Sequence, residues 1–173
     1  QPALGACDVA MMRLLASFGV RPDAAAGHSY GELVALHAAG ALDFAGMIEL
    51  SWQRGRAMAS IAEDGDGDTG TMLVVSADHA RVARVVEGID QCWIANTNSP
   101  TQTVISGSTR AIARAAETIE ALGLTATRIP VQCAFHTPLM ATARERFGSA
   151  LERVALRPAR FPVFSNATAA SYP

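Results

Sequence analysis

Hydrophobic positions recur at helical spacing from the start of the chain. Over 4–18 the apolar residues Val9, Met12 and Leu15 fall three apart, which predicts a helix, and Gly19 stands where a left-handed residue would end it. After Val20-Arg21-Pro22, the small residues of 23–26 predict a short buried strand. A second helical run carries Leu33, Val34, Leu36 and Ala38 and closes at Gly40. Asp43 is a good N-cap for a third helix, with Phe44, Met47, Ile48 and Met58. Residues 63–70 (E-D-G-D-G-D-T-G) read as an acidic, glycine-rich loop.

Beyond that loop the period changes. A strand is predicted over 71–75, then a helix over 80–89 with Val82, Val85, Val86 and Ile89 on one side. Strands follow over 92–95 and 101–105, the latter ended by Ser106-Gly107. An alanine-rich helix over 109–122 stops at Gly123, and a last strand covers 125–131. The order β-α-β-β-α-β is that of the split βαβ unit in ferredoxin-like folds. A small lobe over 71–131 is therefore expected between 1–70 and 132–173, two parts of something else. The second part holds a helix over 138–154 and a short strand over 161–164.

Length and composition narrow the class. The 173 residues suit one domain of ordinary size, or a lobed one with an insertion. Half are apolar and 17% are charged, which fills a core and excludes disorder. The chain opens mid-pattern at Gln1-Pro2, without an initiator Met, and closes on Tyr172-Pro173; it reads as a piece of a longer polypeptide. Asp8, Arg13, Glu32 and Glu49 break the apolar stretches, so no membrane partner is expected. Net charge is −2, and the 14 basic residues, all arginine, are scattered, which speaks against nucleic acid. Cys7, Cys92 and Cys133 show no paired spacing, so a reducing, cytoplasmic setting fits.

Candidate chemistry begins at Gly27-His28-Ser29-Tyr30-Gly31, a G-x-S-x-G elbow between a small-residue strand and an apolar helix. Such a turn puts Ser29 at a strained apex. Glycine on both flanks would relieve clashes between strand and helix. The helix start offers backbone N–H groups, that of Tyr30 first, to a developing oxyanion. A nucleophilic serine needs a base. His28 lies inside the elbow, directed toward the site but too constrained for that role. His37 reads as a packed helix residue and His79 as an exposed helix start. His136 lies where the chain leaves the small lobe, a natural cleft edge, and is the base chosen here; a loop histidine satisfied by its neighbours is the alternative. Cys133 and His136 make at best two metal ligands, so no metal is expected. Arg54 has two readings: a guanidinium that clamps a carboxylate, or a surface arginine lying off its helix, and the helix alone favours the second.

Four segments together resemble the acyltransferase domains of polyketide synthases and the malonyl-CoA:acyl-carrier-protein transacylases of fatty-acid synthesis. They are Gly27-His28-Ser29-Tyr30-Gly31-Glu32, Arg54-Gly55-Arg56-Ala57-Met58, the run from Asn98 to Gly107 (N-S-P-T-Q-T-V-I-S-G), and Ala134-Phe135-His136-Thr137-Pro138. The resemblance implies an α/β fold: a hydrolase-like large subdomain with an inserted ferredoxin-like small one. It implies that Ser29 takes an acyl group, most often malonyl, from coenzyme A and passes it to the phosphopantetheine thiol of an acyl carrier protein. His136 would be the base, Tyr30 an oxyanion donor, and Arg54, with His28 and Phe135, would bind the acyl group. No permanent cofactor is implied, and a neighbouring ketosynthase in the same polypeptide is.

There are departures. The family's GQG segment, whose Gln serves the oxyanion, does not precede Gln1, and backbone that orients its histidine lies beyond Pro173; the chain is read as a fragment. Cys133 stands where malonyl-specific members often carry His. Tyr30 points to the iterative synthases of the enediyne or polyunsaturated-fatty-acid type. Of two rival readings, a non-catalytic docking or scaffold domain is opposed by the intact Ser29, His136 and Arg54; the other is a serine hydrolase, thioesterase or esterase, with the same elbow. It lacks a clear acid before His136 and does not account for the βαββαβ insertion.

Overall fold

The computed structural model describes residues 1–64, 68–131 and 133–172. Two compact units are formed, Gln1–Ala57 with Glu145–Pro173, and Met58–Arg144.

In the first unit, helix α1 (Pro2–Ser17) ends as Gly19 takes φ +84° and the Val20 N–H donates back to the Leu15 carbonyl. Strand β1 is only Ala25–Ala26 and pairs in parallel with β6 (Val163–Phe164); both are shorter than the sequence predicts. Helix α2 (Gly31–Ala38) closes at Gly40, φ +78°. Helix α3 (Phe44–Asp64) starts where Asp43 Oδ1 accepts from the Gly46 N–H at 2.7 Å. Val9, Tyr30, Leu33, Leu42, Met47 and Leu50 pack with Ala150 of α6 (Ala141–Leu151) into one core cluster. The helix expected over 138–154 is in fact a 3₁₀ turn, Pro138–Met140, followed by α6.

The second unit holds a four-stranded antiparallel sheet of β2 (Thr71–Val75), β3 (Cys92–Ser99), β4 (Gln102–Gly107) and β5 (Ala126–Ile129), in the order β3-β4-β2-β5. With α4 (His79–Val86) and α5 (Thr109–Ala121) this is the predicted ferredoxin-like unit. Leu73, Val75 and Ile105 alternate toward the helices and meet Val82, Val85, Ile112, Ala115 and Ile119. Asp78 and Ser108 cap the helices by accepting from Arg81 N–H and Ala111 N–H.

Several boundaries differ from the sequence reading for local reasons. β5 stops before Pro130, which has no N–H for the ladder. β3 runs on to Ser99 because Pro100-Thr101 makes a two-residue hairpin, across which Asn98 Nδ2 donates to Gln102 Oε1 at 2.9 Å. The acidic loop expected over 63–70 begins later, since α3 continues to Asp64, and its residues 65–67 lie outside the described residues. No helix among the described residues is long and apolar enough to cross a membrane.

Candidate active site

Between β1 and α2 the chain turns over four residues, with the Gly31 N–H donating to the His28 carbonyl at 2.9 Å. Ser29, at the apex, has φ +52°. That is a left-handed conformation worth about 1–3 kcal/mol of strain in a non-glycine residue, and it persists only where the surroundings hold it. The two glycines are not equivalent. A Cβ on Gly27 would collide with the backbone carbonyl of Gly31, whereas one on Gly31 would meet no described atom within 4 Å. The expectation that both flanks relieve a clash is therefore corrected: only Gly27 does.

Tyr30, next to the apex, is buried and hydrogen-bonded through its hydroxyl to Ser51 Oγ at 2.7 Å. Its hydroxyl lies where a Cβ on Gly5 of α1 would have to be. Three residues beyond Ser51 on α3 stands Arg54, half-buried. Its Nη2 donates to Ser29 Oγ at 3.2 Å and its Nη1 to Gln1 Oε1 at 2.9 Å. Burial lowers the pKa of its guanidinium, an effect opposed electrostatically by Tyr30. Arg54 thus lies half-buried beside the elbow. Arg56 is the arginine that lies off the helix, 4.8 Å over the Trp52 ring.

The elbow is also held from the C-terminal side. Asn166 Nδ2 donates to the Gly27 carbonyl at 2.5 Å, and the Asn166 N–H and Tyr172 hydroxyl donate to Glu32 Oε1 at 3.1 and 2.7 Å. Burial works against ionisation of Glu32, but these hydrogen bonds outweigh it and hold the carboxyl below its ordinary 4.5. His28 is exposed. His37 accounts for itself as a packed helix residue, its Nδ1 2.9 Å from the Leu42 carbonyl and its ring against Phe44.

In the second unit, His136 is exposed, with φ +61°, and Phe135 is half-buried. Thr137 Oγ1 donates to the Ala134 carbonyl at 2.7 Å and closes the turn around them. The Ala134 N–H donates to the Thr69 carbonyl at 2.7 Å. Asp68 accepts from the Gly70 N–H and from the Thr109 hydroxyl and N–H, which fixes the strand of backbone that carries Thr69. His79 Nδ1 lies 3.1 Å from Thr97 Oγ1. Burial raises the Cys133 thiol, as it does that of Cys92, pushed up to about 11. No group of three potential metal ligands occurs among the described residues.

Gln1, Ser51, Asn166 and Tyr172 were not singled out from the sequence. Each acts through a partner 21 to 140 positions away, and no local pattern announces that.

Residues 1–171 match the family described as "Acyl transferase domain". The polyketide synthase GfsA of Streptomyces halstedii is 39% identical over 168 residues, 97% of this chain and 2% of that protein. The acyltransferase domain of an iterative polyketide synthase in enediyne biosynthesis is 36% identical, with a TM-score of 0.92 over all of this chain and 45% of that one. The malonyl CoA-acyl carrier protein transacylase of Coxiella burnetii is 33% identical, with a TM-score of 0.91 over 99% of this chain and 55% of that one. The chain thus spans about half of these solved chains and a small part of the synthase. Its fold is the expected α/β one, a hydrolase-like part with an inserted ferredoxin-like part. On the match over 1–171 and the likeness to these domains, the chain belongs to the acyl transferase domain family.

Proposed function

We propose that this segment carries the acyl-loading chemistry of a polyketide or fatty-acid synthase. An extender acyl group, malonyl, moves from coenzyme A to Ser29 and then to the phosphopantetheine thiol of an acyl carrier protein. The observation that carries this reading is the Arg54 guanidinium, half-buried and 3.2 Å from Ser29 Oγ. A buried cation left without an anion is costly, so an arginine beside the nucleophile favours an acyl group that brings its own carboxylate.

Ser29 Oγ attacks the thioester carbonyl as His136 accepts its proton. The C–S bond breaks, the proton passes to the departing CoA sulfur, and a malonyl ester remains on Ser29. In the second half His136 takes the proton of the carrier thiol. That sulfur attacks the ester carbonyl, and Ser29 Oγ leaves with the proton. The Tyr30 N–H, at the start of α2, serves the oxyanion in both halves. Arg54 binds the distal carboxylate, His28 lines the acyl site, and Phe135 crowds the carbon between the two carbonyls. The carrier protein, and a ketosynthase in the same polypeptide, are the partners; no permanently bound cofactor is required, and the setting is cytoplasmic. The family motif supports the roles of His136, His28 and Phe135. The domain limits, 71–131 for the small subdomain and 1–70 with 132–173 for the large one, belong to the same proposal.

Competition among malonyl-, methylmalonyl- and acetyl-CoA on the complete acyltransferase domain tests the assignment. A charge-assisted hydrogen bond is worth about 1.5–3 kcal/mol. Arg54→Ala should therefore lower malonyl transfer by about 10–150-fold and acetyl transfer far less. The unmodified domain should favour malonyl over methylmalonyl by about 1–3 kcal/mol, and Phe135→Ser should narrow that gap. Equal loss for malonyl and acetyl in Arg54→Ala would remove the clamp. Equal or better use of methylmalonyl-CoA would remove the role of Phe135.

A further inference from the structure

The contacts around the elbow lie in two tiers built from the same three elements. In the outer tier Gln1, the residue before α1, Arg54 of α3 and Ser29 of the elbow meet. In the inner tier Gly5 of α1, Ser51 of α3 and Tyr30 of the elbow meet. Each inner residue is one helical turn, or one chain position, from its outer counterpart: Gln1 and Gly5, Arg54 and Ser51, Ser29 and Tyr30. Ser51 is fully buried, Tyr30 is 7% exposed, and the Ser51 hydroxyl donates in turn to the Met47 carbonyl at 2.5 Å. The Tyr30 hydroxyl therefore sits in a dry, saturated chain of hydrogen bonds. Gly5 supplies the space for that hydroxyl, since a Cβ there would overlap its oxygen.

A guanidinium on a long flexible stem has about 2 kcal/mol of rotamer entropy to lose, and 3.2 Å from Ser29 Oγ is a loose hydrogen bond. The separation of Arg54 and Ser29 depends on the register of α3 against the elbow, and the buried Tyr30–Ser51 bond ties those two elements together one turn away. We infer that Tyr30, through Ser51 and in the space left by Gly5, is a positioning residue that holds the Arg54 guanidinium at the distance from Ser29 that a carboxylate-bearing acyl group requires. The inference rests on the carboxylate-clamp reading of Arg54. It assigns the Tyr30 side chain a role separate from that of its backbone N–H, and Ser51 and Gly5 a role in substrate selection.

The test is the ratio of malonyl to acetyl transfer on the complete acyltransferase domain, read with thermal unfolding for every variant. Tyr30→Phe keeps the ring and the backbone N–H and removes only the hydroxyl; Ser51→Ala removes its partner. Each should lower the malonyl:acetyl ratio about 3–10-fold, the value of one hydrogen bond. The double variant should lower it no further, because both act through one bond. Gly5→Ala, whose methyl would take the place of the Tyr30 hydroxyl, should lower the ratio at least as far. A merely structural role would reduce both transfers together and leave the ratio unchanged, and that result overturns the inference. Arg54→Ala separates the two levels. If it abolishes the ratio while Tyr30→Phe and Ser51→Ala leave it intact, the clamp stands and the positioning role falls; if Arg54→Ala leaves the ratio intact, the clamp reading itself falls.

Discussion

A Cβ on Gly27 collides with the backbone of Gly31, and neither side of that contact is a flexible side chain that can move away. The strand and the first turn of α2 must therefore separate in a Gly27→Ala variant, and Ser29 must leave its left-handed φ. Overpacking of this kind costs about 1–3 kcal/mol. Gly31→Ala places its methyl in open space at a helix start and should change stability by less than about 1 kcal/mol. Thermal unfolding of the two variants of the complete domain checks this; a Gly31→Ala as damaging as Gly27→Ala would contradict it. The G-x-S-x-G pattern alone assigns the two glycines the same purpose. Only the backbone geometry distinguishes them, because the crowding at Gly27 arises from the angle at which α2 leaves the turn. Arg54 is a similar case. Its helix reads as favouring a surface arginine, and its contact with Ser29 depends on how α3 packs against the elbow.

At the scale of elements, periodicity served well where an element carries its own signal. The amphipathic α4 and α5 were readable, as was the existence of the four strands of the second unit, whereas the Asp78 and Ser108 caps and the turn at Pro100-Thr101 emerge only in the structure. β1 and β6, two residues each, were misjudged in length because their pairing is a contact between chain positions 138 apart. The clip of Glu32 by Asn166 and Tyr172 was invisible for the same reason. It nevertheless has a measurable signature. The folded-state pKa of Glu32 lies below its ordinary 4.5, so the carboxylate stabilises the fold fully above that value, and the contribution is lost as pH falls through the lower folded pKa. Glu32→Gln should therefore narrow its deficit in urea midpoint against the unmodified domain as pH drops below about 4.5. A deficit that does not change between pH 7 and pH 3.5 would show that the ionised carboxylate is not what holds Asn166 and Tyr172.

For the molecule as a whole, the βαββαβ order was legible from the alternation of strand and helix signals, and the four-stranded order β3-β4-β2-β5 matches it. The first unit was less legible, since its strands are two residues long, β1 carries only alanines, and its helices pack by contacts distant in sequence. The proposed chemistry is the passage of an acyl group through Ser29 with His136 as base. Incubating the complete acyltransferase domain with labelled malonyl-CoA and mapping the label by peptide mass spectrometry tests this most directly. A stable malonyl ester on the peptide containing Ser29 is predicted, transferable to a carrier thiol, absent from Ser29→Ala and formed about 10²–10⁴-fold more slowly in His136→Ala. Label that persists in Ser29→Ala, or turnover to free malonate with no acyl-enzyme and no transfer to the carrier, would contradict it.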